Sequence, residues 1–164
     1  MGEVALDIQG LGIILYSPPA VAHIPEGADY LQGHFWQPAD VARHVMDCRL
    51  TTFATGSPGS FRLRFRGGPP DEAAVQAAEY RLRLGLRVEG GVVCVRDLYD
   101  LMEWSADCPP EQQLSTPDGW YRLTVYTSLP PSGVVGDGQT IDINLEQVTD
   151  RPALRWDGVP ALCD

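Results

Sequence analysis

The segment from Pro117 to Ser128 alternates so regularly that it restricts the chain to a sheet-forming fold. It opens on the turn signal Pro-Asp-Gly, because proline presets φ and glycine tolerates a positive φ. The residues that follow divide between two faces: one carries Tyr121, Leu123, Val125 and Thr127, and the other carries Trp120, Arg122, Thr124, Tyr126 and Ser128. Because both faces contain aromatic or β-branched side chains, we predict a central strand that is covered on both sides.

Six further segments have the same two-residue period, and turn signals separate most of them. They cover residues 4–15, 49–55, 60–68, 80–88, 92–95 and 141–146. The first slips by one residue at Gly10, which predicts a bulge or bend within one long strand. Glu89, Gly90 and Gly91 form a hairpin signal, so the strands on either side of this turn are expected to pair.

A single helix is predicted in the segment QPADVARHVMDC, residues 37–48. Pro38 suits a first helical turn, Asp40 complements the positive end of the helix dipole, and Val41 and Val45 share a face. The polar, alanine-rich stretch 69–78 also has the composition of a short helix. The pattern as a whole predicts an all-β protein, an antiparallel β-sandwich of about seven strands with one short helix, and a barrel is the alternative.

The length and apolar content of the chain suffice for one hydrophobic core. With 164 residues and 44% hydrophobic composition, we predict a single domain over residues 1–164. The tail 149–164 is expected to dock on the body, because Trp156 and Leu162 are costly to expose. No basic run precedes the first apolar residues, and no apolar run approaches the ~20 residues of a membrane span. These features predict a cytoplasmic protein.

Acidic residues dominate the second part of the chain. The formal net charge is −10, and all 12 basic residues are arginine. Residues 67–164 contain 16 acidic residues and 7 arginines, against 6 and 5 in residues 1–66. A surface of this sign repels nucleic acid and lipid headgroups and attracts cations or basic proteins. We therefore expect a basic protein partner, and no direct binding to nucleic acid or to a membrane.

No residue pattern typical of catalysis stands out, so we expect a protein that is not an enzyme and that holds no metal and no cofactor. The segment 56–60 has the wrong spacing for a serine-hydrolase elbow and lies in a turn. His23, His34 and His44 are 11 and 10 residues apart, without the spacing of a zinc site. The four cysteines are scattered and are expected to be free thiols. They are Cys48, Cys94, Cys108 and Cys163.

Residues 96–111 join the strand 92–95 to the central strand and are rich in carboxylates. Their spacing fits both a bent strand and a short amphipathic helix, and we interpret them as an acidic connector. The alternative explanation for any one of these carboxylates is that it only keeps the connector solvated. Six residues of the connector are our candidates for binding a partner: Asp97, Asp100, Glu103, Trp104, Asp107 and Glu111.

Several phrases of the sequence resemble the competence-type DNA-entry nuclease inhibitors, a family of small acidic bacterial β-sandwich proteins that bind and block a nuclease. They are LDIQGLGIILYSPP, FWQPADV, GSFRLRF, YRLRLGLRVEGGVVCV, PDGWYRLTVYTSLP and TIDINLEQV. Together they extend over residues 4–148, and D-G-x-Y-x-L-T with the downstream I-D is the most distinctive. The chain departs from the family pattern in the enlarged loop 69–78 and in the tail 149–164.

The resemblance implies a non-enzymatic inhibitor or immunity protein whose partner is a bacterial nuclease or toxin. The acidic connector would meet the basic cleft of that partner and mimic the phosphate charge of its substrate. The alternative is a β-sandwich or barrel that binds a small ligand. Its pocket would be lined by Trp36, Trp120, Tyr126 and Trp156.

Overall fold

Nine strands and three α-helices make up the computed structural model, which describes residues 1–164. The strands are β1 (Gly2–Ile8), β2 (Gly12–Tyr16), β3 (Leu50–Ala54), β4 (Gly59–Gly67), β5 (Tyr80–Val88), β6 (Val92–Asp97), β7 (Gln113–Ser115), β8 (Gly119–Thr127) and β9 (Gln139–Val148). The helices are α1 (Tyr30–His34), α2 (Pro38–Asp47) and α3 (Glu72–Ala77). Short 3-10 helices cover Pro18–Val21, Leu98–Met102 and Pro110–Gln112.

The strands form two sheets, one of five strands in the order β1-β4-β9-β8-β5 and one of four in the order β3-β2-β6-β7. The prediction of a β-rich protein is confirmed, but the expected seven strands and one helix are wrong. The long first strand is two strands in different sheets, and β7 is too short to show a period. The sheets are also not wholly antiparallel, because β4 and β9 run parallel.

The predicted central strand is β8, which lies between β9 and β5 in the large sheet. Leu123 is opposite Leu84 of β5 and Leu145 of β9. Leu123 and Val125 have no exposed surface, and Tyr126 on the other face is also buried. The prediction of a central strand is therefore confirmed, and its second face is covered at Thr124 and Tyr126 but only partly at Trp120 and Arg122.

The chain changes sheets at Gly10, where the sequence predicts a bulge or bend. A Cβ atom on Gly10 would lie 2.6 Å from the Asp97 carboxylate and 2.7 Å from the Tyr99 ring, so a side chain has no room there. The backbone N–H groups of Gln9 and Gly10 donate hydrogen bonds of 2.8 and 3.2 Å to that carboxylate. The slip in the period thus marks a crossover between sheets, and the prediction of one long strand is wrong.

The turn at Gly90 and Gly91 is a second crossover. Both glycines have positive φ, 75° and 73°, as the hairpin signal requires. The strands on either side nevertheless do not form a ladder, because β5 pairs with β8 and β6 pairs with β2 and β7. A single bridge between Glu89 and Val92 closes the turn. The expected β5–β6 pairing is therefore wrong.

A cluster of 35 buried hydrophobic residues contains side chains from both sheets and from α1 and α2. The tail adds the buried Leu162, whose N–H donates to the Ala54 carbonyl of β3 at 2.8 Å. Tail and helix also cover the outer edge of β5: Trp156 Nε1 donates to the Arg83 carbonyl, and Arg87 N–H donates to the Cys48 carbonyl. The outer edge of β5 is therefore protected from pairing with another chain. No helix is long and apolar enough to cross a membrane.

Candidate functional site

A groove with four carboxylates runs between the edge strand β1 and the connector 96–111. Asp97, Asp100 and Glu103 come from the connector, and Asp7 comes from β1. The groove has a volume of about 580 Å³, and its lining includes no arginine or histidine. We call it the acidic groove. The remaining lining residues are Leu6, Gln9, Tyr99, Met102 and Gln112.

Asp97 fixes the start of the connector. It ends β6 and begins the 3-10 helix Leu98–Met102, where its carboxylate accepts a hydrogen bond from the Tyr99 N–H at 3.0 Å. The same carboxylate accepts the two bonds from Gln9 and Gly10 at the first crossover. Three backbone donors therefore bind the Asp97 carboxylate. The connector is not the bent strand that its spacing would allow, and its helical part is a single short 3-10 helix, Leu98–Met102, followed by the 3-10 turn Pro110–Gln112.

Arg96 supports the groove from beneath. It is only 5% exposed, and its guanidinium donates to the Asp100 carboxylate at 2.8 Å, to Tyr16 Oη at 3.1 Å and to the Ser105 carbonyl at 2.6 Å. An arginine so deeply buried needs these partners, because an unpaired buried charge is strongly destabilising. Asp100 therefore faces the groove with its charge compensated by Arg96.

Trp104 lies in the core and not on the surface. Its side chain is 1% exposed, and its ring packs edge-to-face against Tyr16 with 5.6 Å between centroids. The Arg96 guanidinium lies over the same ring at 4.7 Å from the centroid, a favourable cation–π geometry. The expected contact between Trp104 and a partner does not fit this position, and the ring instead holds Arg96 in place.

Glu103, Asp107 and Glu111 are exposed and form no ion pair. Glu103 lines the acidic groove, whereas Asp107 and Glu111 lie further along the connector and outside the groove lining. Tyr99 and Met102 add exposed apolar surface beside the carboxylates. The six candidate residues thus separate into three exposed carboxylates, two anchored carboxylates and one core tryptophan.

Asp7 is not among the residues predicted from the sequence, because it lies about ninety residues before the connector. Its carboxylate accepts a hydrogen bond of 2.6 Å from Ser60 Oγ of the neighbouring strand. The alternation of β1 places Asp7 on the face opposite the buried Leu6 and Ile8, so its exposure could have been predicted. Its position beside the connector could not, because that depends on the crossover at Gly10.

All three histidines of the chain gather around Tyr30. The ring centroids of His23, His34 and His44 lie 5.9, 4.7 and 5.9 Å from that of Tyr30. His44 Nδ1 lies 2.9 Å from the Asp40 carbonyl, which can only accept, so Nδ1 donates and Nε2 can accept from Tyr30 Oη at 3.0 Å. No group of three or more histidine, cysteine or acidic side chains has the arrangement of a metal site.

The four aromatic residues of the alternative ligand pocket do not meet. Trp36 is 60% exposed, and Trp120 lies beneath the Arg87 guanidinium at 4.9 Å. Tyr126 lines a cavity beside α3, whereas Trp156 lines a different cavity beside the tail. The expected aromatic pocket is therefore wrong.

The similarity of this chain to known proteins lies in its three-dimensional structure. No protein-family model and no curated protein matches the chain. The crystal structure of ComJ, inhibitor of the DNA degrading activity of NucA from Bacillus subtilis, matches 90% of this chain and 96% of that chain, with a TM-score of 0.52 and 14% identity. The chain shares this fold. The protein of crocagin biosynthetic gene J matches 90% of this chain and 99% of that chain, with a TM-score of 0.54 and 15% identity.

Proposed function

We propose that this chain is a non-enzymatic binding protein that inhibits, or confers immunity to, a bacterial nuclease or toxin with a basic cleft. The observation that carries the proposal is the acidic groove, in which four carboxylates meet without a basic lining residue. The fold shared with ComJ, an inhibitor of a DNA-degrading activity, supports it. The acidic balance of the chain, −10 overall, agrees in sign with a basic partner.

The mechanism is occlusion of a cleft that otherwise receives a phosphate backbone. Carboxylates on the groove and connector would occupy the positions of phosphate charges, and long-range attraction would speed the encounter. Tyr99 and Met102 offer apolar contact beside these charges. A few desolvated side chains of this kind commonly carry most of the binding energy, whereas rim charges set the association rate.

The carboxylates suited to a test are the three exposed ones, because Asp97 and Asp100 also hold the connector in place. The test variant combines Glu103→Gln, Asp107→Asn and Glu111→Gln. The control variant combines Glu72→Gln, Asp137→Asn and Asp157→Asn, which removes the same charge from exposed acids outside the connector. Neither set breaks an ion pair.

Association kinetics with a nuclease that the protein inhibits, beginning with NucA, measure the effect. We expect the test variant to associate on the order of tenfold more slowly at low ionic strength, and the control variant to change much less. The difference should shrink with added salt, because exposed charges are screened over ~10 Å at 0.1 M. An association rate indifferent both to salt and to the test variant would contradict the acidic mechanism.

A further inference from the structure

A cavity lined by arginine lies at the opposite edge of the large sheet from the acidic groove. It is bounded by β5, β8 and the tail segment 152–156, and its volume is about 500 Å³. Arg83 of β5, Arg122 of β8 and Arg155 of the tail line it, and no carboxylate does. Three of the 12 arginines thus surround one cavity in a protein of net charge −10. We call it the arginine cavity.

The tail packs against β5 where this strand lacks one outward side chain. Arginine alternates with buried leucine along β5, and Gly85 takes the place of one arginine. A Cβ atom on Gly85 would lie 3.2 Å from Pro152 Cγ and 2.5 Å from Cys48 Sγ, so glycine lets the tail approach. Trp156 Nε1 then holds the tail through its hydrogen bond of 3.3 Å to the Arg83 carbonyl.

The charges of these arginines are poorly compensated. Arg83 and Arg155 form no ion pair, and the Arg122 guanidinium lies 3.7 Å from Glu146. Elsewhere on the same sheet, Arg64 and Arg66 both lie 2.9 Å from Asp142. Like charges gathered around one cavity repel each other, and a bound anion would remove that repulsion.

We propose that the arginine cavity binds a phosphate dianion, either as free phosphate or as the phosphoryl group of a small organic monoester. A guanidinium presents its donors in a planar fork that matches phosphate oxygens. Three terminal oxygens can accept from three arginines, whereas a carboxylate offers only two. The volume lies within the roughly 300 to 1,000 Å³ of small-molecule sites. Pro152, Leu154 and Trp156 give an apolar wall for an organic group.

This site lies outside the proposed nuclease-binding surface, since β1 and β5 are the two edge strands of the large sheet. A nucleic acid is a poor occupant, because an extended chain of phosphates would meet the negative charge of the rest of the molecule. A small phosphate ligand meets only the cavity. The geometry therefore favours a compact dianion over a polymer.

Isothermal titration of the full chain with sodium phosphate and with phenyl phosphate, at matched ionic strength and above the second pKa of phosphate, tests the proposal. The variant carries Arg83→Gln and Arg155→Gln, neither of which breaks an ion pair. The control combines Arg43→Gln on α2 with Arg62→Gln on β4, which removes the same charge from arginines outside the cavity and breaks only ion pairs of exposed side chains, worth little to stability. We expect the double variant to weaken binding by at least about tenfold, as for the loss of charge-assisted hydrogen bonds, and the control to leave it unchanged.

The two probes distinguish the sources of the phosphate. Tighter binding of phenyl phosphate supports an organic monoester that uses the wall at Trp156, and equal binding supports free phosphate. Affinity unchanged in the double variant, or no binding of either probe at millimolar concentration, would overturn the proposal. Displacement of both probes by a single-stranded oligonucleotide that binds more tightly would also overturn it. Nuclease inhibition measured on the double variant should stay at the wild-type level, which separates this site from the acidic groove.

Discussion

Asp100 and Glu103 stand three positions apart in the connector and look alike in the sequence, yet they have different physical roles. Asp100 accepts a hydrogen bond from the nearly enclosed Arg96, whereas Glu103 is exposed and unpaired. A buried arginine that loses its carboxylate keeps the cost of its own desolvation. Asp100 therefore stabilises the fold, and Glu103 is free for a partner. This distinction could not be predicted from the sequence, because it depends on Arg96 pointing inward.

Replacing each of the two carboxylates tests this difference. Asp100→Ala should lower the free energy of unfolding by about 1 to 3 kcal/mol, less than for a fully buried pair because the Asp100 side chain is 37% exposed. Glu103→Ala should change it by no more than about 0.5 kcal/mol. Urea denaturation followed by tryptophan fluorescence measures both. Equal midpoints for the two variants would show that the buried Arg96 charge does not need the Asp100 carboxylate.

Two buried thiols predict a loss of stability at high pH. Burial raises the pKa of Cys48 to about 11 and that of Cys94 to about 12, from an ordinary value of 9.0. The folded protein therefore keeps protons that the unfolded chain releases above pH 9, so this stabilisation is complete below pH 9 and is lost as pH rises through 11 to 12. Urea denaturation at increasing alkaline pH should show a shallower decline in Cys94→Ala than in the wild type. A decline of equal slope in the two proteins would contradict this assignment.

At the scale of the elements, the two-residue alternation of side chains identified most strands, but it could not predict which strands pair with each other. The two-sided alternation of β8 predicted an interior strand, and the structure places it between β9 and β5. The strands break at Gly10 and at Gly90-Gly91, where the sequence predicts a bulge or bend and a hairpin. Both breaks are crossovers between sheets, because which neighbour a strand meets after a turn depends on packing far away in sequence. The sequence therefore indicated where each turn lies, but not which strand the chain pairs with after that turn.

The interior position of β8 predicts a large cost for truncating its core side chain. Leu123→Ala should lower the free energy of unfolding by about 2 to 5 kcal/mol, through lost transfer free energy and a residual cavity. Leu11→Ala is the matched control, because Leu11 is half exposed at the first crossover and should cost no more than about 0.5 kcal/mol. Urea denaturation midpoints compare the two. Similar small shifts in both variants would mean that the β8 core is far more loosely packed than the structure indicates.

At the scale of the whole molecule, charges of opposite sign are gathered at the two edges of the large sheet. The acidic groove adjoins β1, and the arginine cavity adjoins β5. The acidic groove could be predicted in part from the sequence, because most of its carboxylates belong to one continuous connector. The arginine cavity could not be predicted from the sequence, since Arg83, Arg122 and Arg155 meet only through the pairing of β5 with β8 and the return of the tail. A site whose residues lie in one continuous segment can be predicted from the sequence. A site assembled from three distant segments cannot, because the fold alone brings its residues together.

The tail also links the two sheets, which bears on the proposal that residues 1–164 unfold as one domain. It contacts the large sheet through the bond from Trp156 to the Arg83 carbonyl, and the small sheet through bonds at Ala54. Leu162 is buried in the cluster that both sheets share. Loss of any one of these contacts should therefore lower the stability of both sheets.

We expect a single cooperative transition in urea, with the same midpoint by far-ultraviolet circular dichroism and by tryptophan fluorescence. Leu162→Ala should lower both midpoints together, with a cost of about 2 to 5 kcal/mol. Val159→Ala, at an exposed position of the same tail, should leave both nearly unchanged. If the two probes separate, or if Leu162→Ala shifts only one of them, the sheets unfold independently. The tail would then be an appendage of one sheet, and the chain would contain two cooperative units in place of one.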